Sequence, residues 1–245
     1  MPEITNADII KTWANAPRKS IESHGDEGDF ARQALLNPAI FSLLGNDIQG
    51  KKILDAGCGQ GYLCRLLAKR GAIVTGVEPS ENWYRYALER EQAEHLGITY
   101  LQEDLSILHD LSNTFDYVIS NMVFMDIPDY KAAIRNCIAS LKAGGNLIFS
   151  ITHPCFEEPS TAWLAKGYVE VREYSQEYAI QSTYGCQFHR PLSAYLNLVI
   201  QTGCMLQQII EPQLDQNLVR SGTSDERNLH VPQFLVVHAT KSNLQ

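Results

Sequence analysis

No run of apolar residues in this chain approaches the roughly 18–20 needed to span a bilayer, so no transmembrane helix is predicted. The opening segment, MPEITNADIIKTWANAP, lacks a basic stretch followed by an apolar one, so no secretory signal is expected and a soluble, cytoplasmic protein is. The six cysteines, Cys58, Cys64, Cys137, Cys155, Cys186 and Cys204, are scattered and form no C-x-x-C pair, which predicts reduced, buried thiols. At 245 residues the chain can bury a sizeable core without disulfides. Basic residues are scarce: 20 Lys and Arg stand against 28 Asp and Glu, a net charge of −8, which counts against a nucleic-acid partner. A local basic patch can still coexist with that total. Repeats, low-complexity tracts and Pro/Ser-rich linkers are missing as well, so one decorated domain is expected.

What is present is a rhythm. Helical patterns fill residues 1–45, interrupted by the polar run Ser23 to Asp29. From Lys51 onward, short apolar runs alternate with amphipathic ones. Strands are expected at Lys52 to Ala56, Ala72 to Val77, Ile98 to Leu101, Phe115 to Ser120 and Asn146 to Ile151, the last after a Gly144-Gly145 turn. Helices fall at Gly61 to Arg70, from an N-cap at Ser80 to before Gly97, and at Tyr130 to Leu141, where Ile134, Ile138 and Leu141 share a face. Strand–helix alternation of this kind predicts a Rossmann-like α/β fold, a doubly wound parallel sheet whose strand C-termini share one ligand-binding edge. Residues 153–190 have many aromatics and no clear period, and are read as a lid inserted after strand five. A helix at Pro191 to Thr202 and strands at Cys204 to Glu211 and Phe234 to Thr240 follow. The expected layout is an N-terminal helical cap (1–45), a core (50–152), the lid (153–190) and a C-terminal helix and strands (191–241).

The sharpest motif is ILDAGCGQG, Ile53 to Gly61, where a strand runs through a glycine-rich turn into a helix. Glycine there permits positive φ and lets a ligand approach the backbone. A dinucleotide fingerprint G-x-G-x-x-G needs glycine at position 62, where this chain has Tyr62. A nicotinamide-dependent oxidoreductase is therefore a minor alternative. Glu78 closes the second strand in VTGVEPS and could accept both hydroxyls of a ribose. Asp104, in YLQEDLS, could accept from an adenine amino group. With Asp55, three acids end three successive strands and describe a nucleoside pocket.

These stretches, with FDYVISNMVFMDIPD and LKAGGNLIFSITHP, resemble the class I S-adenosylmethionine-dependent methyltransferases, especially the small-molecule branch similar to the ubiquinone and menaquinone biosynthesis enzymes. The resemblance is strong over residues 50–153. It implies a seven-stranded sheet with an antiparallel last strand and S-adenosylmethionine as cofactor. It places Gly57 and Gly59 against the methionine portion, Glu78 on the ribose, and Asp104 with Leu105 on the adenine. Asn121 and Met122 border the cofactor, and Asp55, Cys58 and Pro79 complete the set. Arg32 is either a fork for the cofactor's carboxylate or a surface arginine. The implied reaction is methyl transfer to a small-molecule acceptor, with a non-catalytic cofactor-binding regulator as the alternative. Strand four ends in Asn121-Met122-Val123 rather than an Asn-Pro-Pro-Tyr type motif, which weakens methylation of an amide or base nitrogen.

Positioning alone can remove about 7–11 kcal/mol of barrier, so a base is not obligatory. If one acts, His153, directly after strand five, is the preferred candidate and His189, in CQFHRPLS, the second; either could instead simply pack. Histidines 24, 95, 109, 230 and 238 have no positional argument. A metal site at His24, Asp26, Glu27 and Asp29 competes with a polar helix-initiating loop, and no metal is expected. Phe156, Trp163, Tyr168, Tyr174, Tyr178, Tyr184, Phe188 and Tyr195 either wall a substrate pocket, with residues 1–45, or form a satellite core.

Overall fold

The structure, a computed structural model, describes residues 4–108, 111–157, 160–182, 185–219 and 223–243; His109 and Tyr184 lie outside the described residues. The N-terminal cap holds α1 (Asn6–Ala14), α2 (Arg18–Glu22) and a π-helical turn, Arg32–Leu36, that runs into α3 (Asn37–Leu44). The alternating core follows as β1 (Lys52–Ala56), α4 (Tyr62–Lys69), β2 (Ile73–Val77), α5 (Glu81–Glu94), β3 (Thr99–Leu101), β4 (Phe115–Asn121), α6 (Tyr130–Ser140) and β5 (Leu141–Thr152). The inserted segment contains α7 (Ser160–Lys166) and a hairpin of β6 (Tyr178–Ser182) and β7 (Gly185–His189). Then come α8 (Leu192–Gln201), β8 (Cys204–Ile210) and β9 (Phe234–Lys241).

Seven strands form one sheet in the order β3-β2-β1-β4-β5-β9-β8. The first five are parallel, and β9 runs antiparallel between β5 and β8. The expected antiparallel last strand is therefore present, and it sits inside the sheet rather than at its margin. Central strands are buried on both faces, as parallel sheets covered by helices must be. Successive residues point to opposite layers: Leu54, Val118 and Leu147 meet α6 and α8, while Ile53, Ile119 and Ile148 meet α3 and α4. Among the described residues, no helix is long and apolar enough to cross a membrane.

Three local readings change. Leu141 does not extend the face of α6; it is the C-cap, with φ −70° and ψ 140°, and opens β5 by pairing with Phe115. Gly144 and Gly145 lie inside β5, where the register jumps from Phe115–Leu141 to Tyr117–Asn146, so the glycines absorb an irregularity rather than precede the strand. Ser80 occupies the N-cap position of α5 but its side chain makes no cap bond; its backbone N–H donates to Glu78 at 2.8 Å. The lid also has more order than its composition suggests. Helix α7 packs on a 3-10 segment, Ser224–Leu229, between β8 and β9, with Trp163 stacked on His230 at 5.3 Å.

Gly61 starts α4 in the left-handed region, φ 78°, and a Cβ there would overlap the Tyr100 hydroxyl. Gly61→Ala combines about 1–2 kcal/mol of backbone strain with that overlap, so a melting temperature roughly 4–8 °C lower is expected by calorimetry. Gly97→Ala, at φ 78° with open space around it, serves as the comparison and should lose only the backbone part.

Candidate active site

The ends of β1, β2, β3 and β4 open into one cavity of about 1000 Å³, part of it open to solvent. It lies on the strand C-terminal edge, where ligands of doubly wound sheets bind. Its floor is the glycine loop. The N–H groups of Gly57 and Cys58 both donate to the Val77 carbonyl at 2.9 Å, folding the loop back on the neighbouring strand. Gly59 N–H donates to Glu78 Oε2 at 3.0 Å, while Ser80 N–H takes Oε1. Burial raises the Glu78 carboxyl, and those two backbone donors pull it back. Gly57, at φ 81°, has Val123 where a Cβ would stand, so only glycine fits.

Asp55, at the end of β1, is 2 % exposed. Burial, with Glu78 nearby, pushes its carboxyl up to about 7, although the Cys64 thiol donates to it at 3.1 Å. Cys58 is pushed up to about 11 by burial, so it is a thiol at neutral pH and no nucleophile. Asp104 accepts from Ser106 N–H at 2.8 Å and from the Asn6 amide of α1 at 3.2 Å. Asn6 also reaches Ser106 and accepts from Asp129 N–H, so α1 is fastened across the ends of β3 and β4.

The turn after β4 is held by a buried chain of donors. Tyr62 donates to Asn37 at 3.1 Å, Asn121 to Tyr62 at 2.7 Å, and Ser150 to Asn121 at 2.6 Å. Met122 N–H donates to Ser150 at both Oγ (3.0 Å) and the carbonyl (3.1 Å), which fixes Met122 at φ 63°. Such a backbone is uncommon for methionine and persists only where neighbours impose it. Gln60 ties the loop to the cap by donating to the Gly25 carbonyl, and buried Arg65 holds Gln60 through its carbonyl (2.8 Å) and Oε1 (2.7 Å).

Every residue expected to meet the cofactor lines this cavity: Arg32, Asp55, Gly57, Cys58, Gly59, Glu78, Pro79, Asp104, Leu105, Asn121 and Met122. Arg32 is paired with Asp29 there. His153 and His189 do not line it. His153 Nδ1 accepts from Cys155 N–H at 3.2 Å, and Nε2 meets Glu211 at 2.9 Å. His189 lies between Glu157 at Nδ1 and the Tyr174 carbonyl at Nε2, both acceptors. Both rings make these contacts away from the cavity, so the structure does not bring either candidate base to it.

The described lid aromatics are likewise elsewhere. Tyr195 packs in the main core with Tyr130 and Phe149, and Tyr178 stacks on His189. The aromatic walls are instead Trp13, Tyr62 and Trp83, with His24 beside Trp83. Their signal in the sequence was weak, because Trp13 on α1, Tyr62 on α4 and Trp83 on α5 come together from distant parts of the chain. Asp26 pairs with Arg90, and among the described residues no His, Cys, Asp and Glu cluster could hold a metal.

Comparison with known proteins agrees with this architecture. The methyltransferase domain family matches residues 54–149. The chain is 34 % identical over 153 residues to a ubiquinone biosynthesis O-methyltransferase of Coxiella burnetii, covering 62 % of this chain. The match spans 61 % of that relative's own length. A crystal structure of an S-adenosylmethionine-dependent methyltransferase from Mesorhizobium loti superposes with a TM-score of 0.75 at 26 % identity, covering 89 % of this chain and all of that one. A magnesium protoporphyrin IX methyltransferase from Synechocystis with bound S-adenosylmethionine shares the fold, with a TM-score of 0.62 at 17 % identity over 99 % of this chain and 100 % of that one.

Asp55 gives the fold a pH signature. Its folded carboxyl, near 7 against an ordinary 3.8, holds a proton more tightly than the unfolded chain does. That stabilisation is complete below about pH 4 and is lost as pH rises through about 7. Asp55→Asn is expected to shrink the decline in unfolding free energy between about pH 4.5 and about pH 7.5 by on the order of 2–4 kcal/mol, measured by denaturant titration. An unchanged decline would mean that Asp55 is ionised in the native fold.

Proposed function

We propose that the protein is an S-adenosylmethionine-dependent methyltransferase that methylates a hydroxyl of a small-molecule acceptor. The observation that carries this reading is the convergence of the glycine loop with Asp55, Glu78 and Asp104 on one cavity. The residues suit the cofactor. The carboxylates on the cavity wall suit a ligand rich in N–H, O–H and positive charge. In this reading Asp55, Gly57, Cys58 and Gly59 hold the aminoacyl part and Arg32 its carboxylate. Glu78 and Pro79 hold the ribose, Asp104 and Leu105 the adenine, and Asn121 and Met122 border the reacting end. When bound, the cofactor supplies an electrophilic methyl group on a positively charged sulfur.

The protein's own contribution is to orient and to exclude water. Residues 1–45 cap the cavity, residues 50–152 hold the cofactor, and residues 153–190 shape the acceptor side through Arg190. This buried guanidinium donates to the carbonyls of Phe124 (3.1 Å), Ile127 (2.8 Å) and Pro128 (3.2 Å) in the turn beyond β4. The choice of a hydroxyl acceptor follows the O-methyltransferase relatives. The net charge of −8 supports a small molecule over nucleic acid, and free cysteines suit a cytoplasmic setting.

Calorimetric titration with S-adenosylhomocysteine tests the reading. Saturable one-site binding is expected, and Glu78→Gln should weaken it about 10–100-fold, the loss of a charge-assisted hydrogen bond. No binding by the parent, or a Glu78→Gln variant that binds as the parent does, would refute it.

A further inference from the structure

The turn after β4 carries an acid that the cofactor reading leaves unused. Asp126 ends the 3-10 turn Phe124–Asp126 and lines the same cavity as Asp55, Gly57 and Met122. Among the described residues, no hydrogen bond or ion pair reaches its carboxylate, although its N–H donates to the Val123 carbonyl at 2.8 Å. The turn is clamped from behind by Arg190, 3 % exposed, whose guanidinium also lies over the Tyr130 ring at 4.0 Å.

The other charged groups on the cavity wall all have protein partners. Cys64 donates to Asp55, Gly59 and Ser80 to Glu78, and Asn6 and Ser106 to Asp104. His24 Nδ1 meets the Ser20 carbonyl, and Arg32 pairs with Asp29. Asp126 is the exception. A half-buried carboxylate that faces the cavity with no protein donor is available to the positive charge or the proton of a ligand. Burial pushes its carboxyl up to about 7, against the pull of Arg32 and Arg190.

We propose that Asp126 is the counter-charge to the sulfonium of the bound methyl donor and takes the proton of the hydroxyl being methylated. The inference rests on the reading of the cavity as an S-adenosylmethionine site. Before transfer, the sulfonium is positive, Asp126 negative and the acceptor neutral. The acceptor oxygen forms its bond to the methyl carbon with an electron pair of its own. The sulfur–methyl bond breaks with its pair left on sulfur, and the O–H proton passes to the Asp126 carboxylate. The products are a neutral thioether, a neutral methyl ether and a neutral Asp126, which returns its proton to solvent when fresh donor binds. Ionised Asp126 thus favours donor over spent product.

Titration calorimetry of the full chain with S-adenosylmethionine and with S-adenosylhomocysteine, each in two buffers of different ionisation enthalpy, counts the protons that accompany binding. The two ligands differ by one methyl group and one charge, so their shared amino and carboxyl groups cancel. Near neutral pH, S-adenosylmethionine should release a fraction of a proton more than S-adenosylhomocysteine. Its relative affinity should rise about tenfold between about pH 6 and about pH 8, because a nearby fixed cation lowers a carboxyl pKa by about 1–3 and each pKa unit is tenfold in linked affinity. Asp126→Asn should abolish both differences. If that variant does not fold, the parent's proton count decides alone. Equal proton release and a pH-independent affinity ratio in the parent would overturn the inference while the cofactor reading stands. A proton difference that persists in Asp126→Asn would overturn it too, assigning the titration to another acid. Failure of both ligands to bind would remove the cofactor reading itself.

Discussion

The attachment of the glycine loop to the end of β2 is the constraint on which the rest of the site depends. Three consecutive N–H groups, from Gly57, Cys58 and Gly59, are committed to Val77 and Glu78. The loop can take that path only because Gly57, Gly59 and Gly61 adopt positive φ, where other residues would each lose about 1–2 kcal/mol. It also needs Gly76, since a Cβ there would press on the Tyr100 ring and the Cys58 sulfur. Glu78 is therefore both a wall of the cavity and a structural acceptor. Its buried carboxylate is tolerable because two backbone donors replace water.

From that anchor, polar ties add to the apolar packing of α3 in fastening the cap. Arg65 holds Gln60, Gln60 holds the Gly25 carbonyl, and Asn37 holds both the Glu27 carbonyl and Tyr62. On the opposite side Asn6 bridges the ends of β3 and β4. The Gln60–Gly25, Asn37–Tyr62 and Asn6–Asp104 ties each couple a cap residue to a residue that lines the cavity. Cap position and loop geometry are thus two aspects of one network, and hydrogen bonds of this kind contribute about 1 kcal/mol apiece but leave large penalties when broken in the interior.

The core strands were legible because both faces of a parallel strand are apolar, and the cofactor edge because glycine spacing and strand-end acids are local signals. What escaped reading was decided by distant partners. His153 does follow β5, yet its ring direction is set by Glu211 and the Cys155 N–H, which no local pattern announces. The lid aromatics allowed either a chamber or a satellite core, and Tyr195 finds Tyr130 and Phe149 in the main core. Gly144-Gly145 read as a turn because glycine pairs often turn, whereas here the strand continues around an irregularity. Asp126 carries no local signal in its motif, since its exposure to the cavity depends on a turn held by Arg190, 64 positions further on.

The charge balance of the cavity gives these pieces a common direction. Asp55, Glu78, Asp104 and Asp126 face it, while its one arginine, Arg32, is already paired with Asp29. Burial raises the proton affinity of both Asp55 and Glu78, and the nearby Glu78 charge adds to the rise at Asp55. A cationic ligand relieves that strain and a neutral one does not. Selection for a positively charged ligand is therefore built into the wall before any single contact is considered, and the surplus of acids over bases in the whole chain reinforces the same field.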